Sequence, residues 1–328
     1  MGDIVGGLSL RKRLLCGIAW IFAIFALLCG GSAIIGPWNG IADAVAATLP
    51  LAPILALAGL GLSLAAGRFR GHIWLWAMAL CAGAIACWHI LPEWVVEEAP
   101  RQQGRAIVIV THNLHHGGTS PERMAAVLAA SGADILLLQE NDRRSAKALD
   151  SLTSLYPYRD PCRACEQAIF SRWPMDVHWR LPDEEGKATG PALFRADVHI
   201  PGMATPLRVV TVHVPRPIPL PGQKPFLQAL ATGLRHSRPT NIVLAGDFNL
   251  VPWSSTMTQL EQDLAPLHRI TRGQPTYPAM LAGISAPLLP IDHIFVSPDL
   301  AFGRVSTLPP TGSDHLAVRT TVWMHDRQ

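Results

Sequence analysis

The sequence predicts an α/β protein in which three N-terminal transmembrane helices precede a mixed α/β domain. Three observations predict this arrangement. The 328 residues are 49% hydrophobic with a mean hydropathy of +0.24, and the apolar excess lies almost entirely in the first third of the chain. Beyond about residue 105, short apolar runs typical of β-strands alternate with helical patterns. Several of these runs end in an amide, carboxylate or imidazole side chain.

Three apolar runs have about the 20 residues that an α-helix needs to cross a bilayer. They are residues 14–35, 45–66 and 73–91, and none contains Lys, Arg, Asp or Glu. The basic residues before the first run also fit the start of a cleaved signal peptide. Because the first run is longer than a typical signal-peptide core and two more follow, the favoured interpretation is a membrane anchor over residues 1–91.

Basic residues in the short loops predict the orientation of this anchor. Arg11, Lys12 and Arg13 precede the first run, and Arg68 and Arg70 lie between the second and third runs. The loop between the first and second runs has neither Lys nor Arg. Since basic loops stay in the cytoplasm, three crossings of a bacterial inner membrane would place the rest of the chain in the periplasm.

The remaining sequence is expected to form one globular domain, residues 105–328, after a polar linker at residues 92–104. The domain carries 21 Lys and Arg against 19 Asp and Glu, a net charge of +2. Proteins that bind duplex DNA usually show a stronger basic bias. Nucleic acid is therefore a possible partner but not a favoured one.

Two cysteines, Cys162 and Cys165, lie in the globular part, and the other four lie in the apolar runs. A zinc site would need about four ligands, and no second Cys-x-x-Cys pair or matching His pair accompanies them. A thioredoxin-type redox pair would need a strand-to-helix setting, whereas these cysteines are expected in a loop. A local disulfide, which an oxidising compartment permits, is the favoured interpretation.

Polar side chains stand at the ends of successive predicted strands. They are Asn113, Glu140, His213, Asp247 with Asn249, Asp292, and Asp314 with His315. In open α/β sheets the carboxyl ends of strands are where ligands bind, and an unpaired carboxylate such as Glu140 after a buried strand is costly. Each residue alone also fits a strand end, a cap or a turn. Their recurrence along the chain favours one shared site that holds a metal or another cation.

These motifs resemble those of the endonuclease/exonuclease/phosphatase superfamily, the DNase I-like proteins. The matching stretches are THNLHH at Asn113, LLLQE at Glu140, VTVH at His213, GDFN at Asp247 and Asn249, PIDHIF at Asp292, and GSDH at Asp314 and His315. The resemblance covers about residues 105–324, and the three-span anchor is similar to that of a membrane-bound bacterial subgroup. It implies a four-layered α/β sandwich with two packed mixed sheets, helices outside and the active site at one end.

The resemblance also implies hydrolysis of phosphoric esters that depends on Mg²⁺ or Mn²⁺. Glu140 would be the main metal ligand, with Asn113 beside it and Asp314 near the same ion. Hard oxygen ligands of this kind suit Mg²⁺.

The same resemblance assigns catalytic roles to five residues. Asp247 would orient and deprotonate the attacking water, and Asn249 would hydrogen-bond the phosphate. His213 would donate to the phosphoryl oxygens, as would His315, which Asp292 orients. Metal and imidazolium together would neutralise the charge that develops in the transition state.

One departure from the family concerns the residue two positions after Asn113, where some nucleases carry an acid or an arginine. Here it is His115, followed by His116. A second metal site, a nuclease-type phosphate contact and a pair of exposed loop histidines all stay open for these two residues. His112 is expected to be structural.

The favoured function is a membrane-anchored phosphodiesterase or phosphatase that acts outside the cytoplasm. The alternatives are a catalytically silent module that binds a phosphorylated ligand, an extracytoplasmic nuclease, and a redox protein built on Cys162 and Cys165. The residues that would bind metal and activate water are all present, which favours the enzyme.

Overall fold

The computed structural model describes residues 10–67, 73–95, 104–162, 166–178, 194–218, 222–236 and 240–324. The chain forms two compact units. One contains the residues up to Trp94 together with Trp253–Thr256, and the other contains Val95–Pro252 and the residues from Met257 onward.

The first unit is helical, as its apolar sequence predicts. Its α-helices are α1 (Leu10–Ile35), α2 (Gly40–Val45), α3 (Leu51–Ala65) and α4 (Ile73–Ile90), with 3₁₀ turns at Gly36–Trp38, Ala46–Thr48 and Leu91–Trp94. α1 packs against α3 and α4, and small side chains such as Ala19, Ala56 and Ala79 surround Trp76 in the shared core. Small residues let apolar helices approach closely, which is a common basis of helix packing inside membranes.

Two helical segments are long and apolar enough to cross a membrane, Leu10–Trp38 with 29 residues and Ile73–Trp94 with 22 residues. The predicted second span, residues 45–66, differs from them. Its continuous helix α3 has only 15 residues, and it meets the preceding helical segment Gly40–Thr48 at a bend of 63°. Pro50 stands at this break, because proline has no N–H to donate within a continuing helix. The described residues thus contain two candidate spans, or three if the bent pair crosses as one broken span.

The second unit contains two β-sheets. The strand order of the first sheet is β11 (Ala301–Phe302), β13 (Val318–Met324), β1 (Arg105–Asn113), β2 (Ile135–Gln139), β4 (Gln167–Ser171) and β3 (Tyr158–Cys162), with β12 (Ser306–Thr307) also paired to β13. The order of the second sheet is β5 (Met175–His178), β6 (Phe194–Val198), β7 (Leu207–His213), β8 (Ile242–Asp247), β10 (Asp292–Val296) and β9 (His268–Arg269). The pairs β1–β2 and β7–β8 are parallel, and the other pairs are antiparallel.

Helices cover the outer faces of both sheets. They are α5 (Pro121–Ala130) and α6 (Arg143–Leu149) on the first sheet, and α7 (Gln223–His236) and α8 (Ser255–Leu264) on the second. Because side chains alternate between the two faces of a strand, Leu136 of β2 packs against the helical layer, whereas its neighbour Leu137 lies in the core between the sheets. The predicted mixed α/β fold with two packed sheets is confirmed.

Gly246 lets β7 and β8 approach each other closely. Its φ is +153°, and a Cβ atom at this position would collide with the carbonyl oxygen of Val212 in β7. Only glycine tolerates both conditions. The glycine of the GDFN motif therefore sets how near Asp247 lies to the end of β7.

Cys162 is the last residue of β3, not a loop residue as the sequence suggested. It is disulfide-bonded and 1% exposed, and it pairs with Gln167 of β4. The edge position of β3 explains how a strand can contain Pro161, because an edge strand need not use every N–H. Cys165, the predicted partner, lies outside the described residues, and the four cysteines of α1 and α4 are free.

Candidate active site

The strand register brings the predicted site residues to the ends of the central strands, on one side of the two sheets. In the first sheet, Asn113 pairs with Gln139, so Glu140 follows directly beside the end of β1. In the second sheet, Asp247 pairs with both His213 and Asp292. The parallel pairs β1–β2 and β7–β8 thus end together, and the antiparallel strand β10 begins where they end.

Asp314 and His315 lie at the same end of the sheets, in the chain segment just before β13. The Ser313 hydroxyl donates to the Asn113 carbonyl oxygen at 2.8 Å and accepts from the His315 backbone N at 3.0 Å. β13 then runs antiparallel to β1, with Val318 opposite Thr111. Ser313 was not among the predicted site residues, although it precedes two of them in GSDH.

The Asn113 amide joins the two sheets at the site. Asn113 Nδ2 donates to Glu140 Oε1 and to Asp247 Oδ2, both at 3.0 Å. The Asn113 Oδ1 atom accepts from the His115 backbone N at 2.9 Å, which fixes the orientation of the amide. Asn113 therefore holds two buried carboxylates, one from each sheet, at a fixed separation.

His315 and Asp292 form a buried ionic pair. His315 Nδ1 lies 2.8 Å from Asp292 Oδ2, and both side chains are less than a tenth exposed. Burial by itself lowers the pKa of His315, but the charge and hydrogen bond of Asp292 outweigh it and raise that pKa to about 9. Burial likewise opposes ionisation of Asp292, but the imidazolium lowers its pKa. At neutral pH the pair is an imidazolium and a carboxylate.

Asp247 is a buried carboxyl group whose proton affinity is unusually high. Burial, reinforced by the charge of Asp292, raises its pKa to about 7. Asn249 holds it in place, since its backbone N donates to Asp247 Oδ1 at 2.8 Å and its Nδ2 lies 3.2 Å from Asp247 Oδ2. His315 Nε2 lies 3.8 Å from Asp247 Oδ2. A carboxyl group with a pKa near 7 is well matched to accept a proton at neutral pH.

His213 faces both carboxylates from the end of β7. Its Nε2 atom lies 3.5 Å from Glu140 Oε1 and 3.7 Å from Asp247 Oδ2. Burial lowers the pKa of His213, so the ring is neutral at pH 7. It can then donate one N–H bond without bringing a charge.

Glu140 and Asp314 have the surroundings that a divalent cation would fit. Glu140 is 8% exposed, and its ionic neighbours among the described residues are imidazoles, with His116 Nε2 at 3.3 Å from Oε2. Asp314 Oδ1 is buried without a hydrogen-bond partner in the described part of the chain, and it lies 3.3 Å from His115 Nδ1. Hard carboxylate oxygens that lack a strong cationic partner match the ligand preference of Mg²⁺.

A second set of possible metal ligands consists of Asp247, Asp292 and His315, whose ligand atoms lie within 4.8 Å of one another. Two of these ligand atoms already contact each other, since His315 Nδ1 lies 2.8 Å from Asp292 Oδ2. In this structure the group is therefore a hydrogen-bonded cluster of two carboxyl groups and one imidazole.

His112 and Gln139 are buried beside the site without entering it. His112 is fully buried, its Nε2 lies 2.9 Å from Thr311 Oγ1, and burial lowers its pKa to about 3. Gln139 Nε2 donates to Thr111 Oγ1 at 3.1 Å and to Thr211 Oγ1 at 2.8 Å, which links the two sheets. Sequence reasoning missed this link, although a polar residue at an inward-facing strand position is a detectable signal.

The fold and the site define a class. Two packed mixed sheets form an α/β sandwich with carboxylates, amides and imidazoles gathered at one end of its strands. Residues 110–315 match the model of the Endonuclease/Exonuclease/phosphatase family. The match covers more than half of the chain and spans every predicted site residue, so the chain belongs to this hydrolytic family.

Solved structures are similar to the chain at low sequence identity. An endonuclease/exonuclease/phosphatase from Beutenbergia cavernae is 21% identical, over 67% of this chain and 72% of that chain, with a TM-score of 0.48. Sphingomyelinase C from Streptomyces griseocarneus is 15% identical over 66% and 99%, with a TM-score of 0.46. Beta toxin from Staphylococcus aureus with bound magnesium ions is 13% identical over 67% and 100%, with a TM-score of 0.47. No curated protein sequence matches the chain.

Proposed function

We propose that the protein is a membrane-anchored hydrolase of phosphoric esters that depends on a divalent metal and acts outside the cytoplasm. One observation carries the proposal: two buried carboxylates, Glu140 and Asp247, are held 3.0 Å from the same Asn113 amide nitrogen. Burying two carboxyl groups side by side is unfavourable unless hydrogen bonds or a cation compensate for the lost water. We infer that this arrangement serves to bind a metal and a phosphate.

The metal would be held by Glu140 and Asp314, with Asn113 beside them. When bound, a Mg²⁺ or Mn²⁺ ion would polarise the phosphoryl oxygens and stabilise the charge that develops on them. Asn113 contributes by fixing Glu140, since its own Oδ1 is occupied by the His115 backbone N.

Asp247 would act as the general base. Its raised pKa allows it to take a proton from the attacking water near pH 7, and the two bonds from Asn249 keep the carboxylate in place. Contact between Asn249 and the phosphate stays a prediction, because its Nδ2 donates to Asp247 and to the Val214 carbonyl oxygen.

The two histidines would stabilise the phosphoryl group. His315, kept protonated and oriented by Asp292, would offer a charged N–H from Nε2, and the neutral His213 would offer an uncharged one. Donors that are fixed before the reaction stabilise developing charge without reorganising.

The proposal places the helical unit in a bilayer. Support comes from the two long apolar helices and the bent pair, and from the basic residues predicted to stay in the cytoplasm. Crossing by the bent pair as a third span would put the second unit in the periplasm.

The first test compares hydrolysis of bis(p-nitrophenyl) phosphate with Mg²⁺ by the full chain and by Asp247→Asn and His315→Ala. We expect each variant to lose at least ~10²-fold in kcat, because each residue acts on the proton or charge that moves in the transition state. His199→Ala is the matched control, since His199 is a half-exposed histidine paired with Asp176. Full activity in both site variants would overturn the mechanism, and phosphate binding without hydrolysis by the unaltered chain would favour a silent binding module.

A second test concerns the metal. Glu140→Gln should raise the Mg²⁺ concentration for half-maximal activity by at least ~10-fold, because it removes a charged ligand. Asp176→Asn, which removes an exposed carboxylate away from the site, should leave that concentration unchanged. An identical metal dependence in Glu140→Gln and the unaltered chain would exclude Glu140 as a ligand.

A further inference from the structure

Exposed apolar side chains of the second unit cluster in the loop between β9 and β10. Met280, Leu281, Ile284 and Leu288 are between 43% and 69% exposed. Residues 274–290 contain no Lys, Arg, Asp or Glu. Single exposed apolar residues are ordinary, but a group of them in one uncharged segment marks a surface that contacts something.

This segment is a folded hairpin, which we call the apolar hairpin (residues 277–289). Leu281 and Ile284 exchange two backbone hydrogen bonds of 2.8 and 3.0 Å around Ala282 and Gly283. Ala282 and Gly283 have φ values of +50° and +81°, as a tight type I′ turn requires. At the other end, the backbone N atoms of Leu288 and Leu289 both donate to the Tyr277 carbonyl oxygen. The apolar tip is thus held in one shape.

The base of the apolar hairpin is built into the candidate active site. The Tyr277 ring centroid lies 5.0 Å from that of His315. The Ala279 backbone N donates to the Asp314 carbonyl oxygen at 2.6 Å, and the Leu316 N donates to the Thr276 carbonyl oxygen at 2.9 Å. These contacts of the hairpin base fix the position of the apolar tip relative to His315 and Asp314.

A lipid layer fits the tip better than a protein does. A specific protein interface buries about 1,200 to 2,000 Å² in total, which is far more than the side chains of one short hairpin offer. The tip has no charge with which to select a partner surface, and a fluid apolar phase demands no matching shape. The same chain carries two helices long and apolar enough to enter a bilayer, so a lipid surface is the apolar phase that the proposed location provides.

We propose that the apolar hairpin inserts into a lipid surface and that the substrate is a phosphoric ester carried by a lipid. The inference rests on the proposed function and narrows its substrate class. Insertion of the tip would bring the candidate active site, which contacts the hairpin base, towards the headgroup layer that holds the lipid's phosphate.

Photocrosslinking of the full chain in vesicles of phosphatidylglycerol and phosphatidylcholine tests insertion without using activity. Ile284 is replaced with benzoylphenylalanine, and Leu155, an exposed leucine on a different loop, is replaced in the same way as the control. We expect a phospholipid adduct from position 284 and none from position 155. Equal lipid adducts at both positions, no adduct at 284, or a crosslink between two copies of the chain would overturn insertion.

A kinetic comparison tests the substrate class. Leu281→Ser with Ile284→Ser should lower kcat/KM on phosphatidylglycerol or phosphatidic acid in vesicles by at least ~10-fold, because two apolar side chains no longer enter the lipid. The rate on soluble bis(p-nitrophenyl) phosphate should not change, and Leu155→Ser should affect neither substrate. An equal loss on both substrates, or no loss on vesicles, would overturn the assignment. Absence of hydrolysis of either substrate by the unaltered chain would instead count against the proposed function, whereas the crosslinking result would still stand.

Discussion

At the scale of single residues, unusual backbone conformations concentrate at the candidate site. His115, His116, Glu140 and Asn249 have φ values of +46°, +49°, +52° and +49°. Residues with a Cβ atom adopt this region at a cost, and surrounding contacts must hold them there. Outliers of this kind cluster where geometry matters for function. Asn and His adopt this region more readily than most residues with a Cβ atom, so the backbone strain is clearest at Glu140.

Asp197 provides a prediction about pH that is independent of the site. It accepts from Arg208 Nε at 2.7 Å and from Arg208 Nη2 at 3.1 Å, and Arg195 Nη2 lies 3.7 Å away. Burial opposes its ionisation, but the hydrogen bond and charge of Arg208 lower the pKa of Asp197 below its usual 3.8. An acid with a lowered pKa stabilises the fold above the pKa of the unfolded chain, and this contribution is lost as the pH falls through the folded value.

Asp197→Asn should therefore destabilise the protein by about 3 kcal/mol at pH 7, because two guanidinium groups would lie together without the carboxylate between them. The difference from the unaltered chain should shrink as the pH falls below about 4. Thermal unfolding of the detergent-solubilised chain between pH 3 and 7 measures this difference in stability. Asp176→Asn, a change at an exposed carboxylate, is the control. A difference that stays constant over this range would show that the charge of Asp197 does not stabilise the fold.

At the scale of secondary-structure elements, the sequence predicted strand ends better than strand partners. The apolar run before GDFN predicts β8 and its polar exit because both are local properties of the chain. Nothing local indicates that Asn113 bonds to Asp247 on the other sheet, or that Gln139 joins Thr111 to Thr211. These contacts depend on how the two sheets face each other, which is decided by packing along the whole domain.

Two elements departed from expectation for identifiable reasons. The apolar composition of residues 45–66 predicts one span, but Pro50 interrupts the helix because it has no backbone N–H to donate. A hydropathy average does not detect this missing donor. The segment before Asp292 contains several prolines and glycines and gave no strand pattern. It nevertheless forms the apolar hairpin, whose positive-φ turn uses Ala282 where asparagine or aspartate would have signalled it.

Gly246 allows a sharp test of the contact between β7 and β8. Gly246→Ala should lower the free energy of unfolding by about 3 kcal/mol or more. The alanine Cβ would overlap the Val212 carbonyl oxygen, and the backbone φ at position 246 is unfavourable for alanine. Gly202→Ala is the matched control, since Gly202 also has a positive φ, +83°, but has no heavy atom within 4 Å of an added Cβ. Gly202→Ala should lower the free energy of unfolding by only about 1 kcal/mol. The two thermal unfolding midpoints decide the matter, and equal shifts would mean that backbone strain, not the close approach, governs this position.

At the scale of the whole molecule, neither sheet contains a complete site. Glu140 and Asn113 belong to the first sheet, and Asp247, His213 and Asp292 to the second. The face-to-face packing of the sheets therefore determines the distances between the candidate site residues. The family match and the two-sheet fold follow from the sequence, whereas the substrate depends on surfaces that the motifs do not include.

The proposed orientation is open to a direct test. A reporter enzyme that folds only outside the cytoplasm, fused after Gln328, should be active, and one that works only in the cytoplasm should be inactive. The expectation rests on basic residues remaining on the cytoplasmic side. The reverse pattern would mean that the bent helical pair does not cross the membrane, leaving two crossings and a cytoplasmic second unit.

The position of β13 has a consequence for when the candidate site can be completed during synthesis. This strand is made after every other described strand, yet it lies between β11 and β1 in the interior of the first sheet, directly after Asp314 and His315. A growing chain that has reached Asp292 already contains Glu140, Asp247 and His213, but it has neither the closing strand nor the last two site residues. A nascent chain at this stage therefore lacks an interior strand of the first sheet and two of the candidate site residues. Under the proposed function, such a chain would not yet hydrolyse a phosphoric ester, because the candidate site can be complete only after β13 has been made.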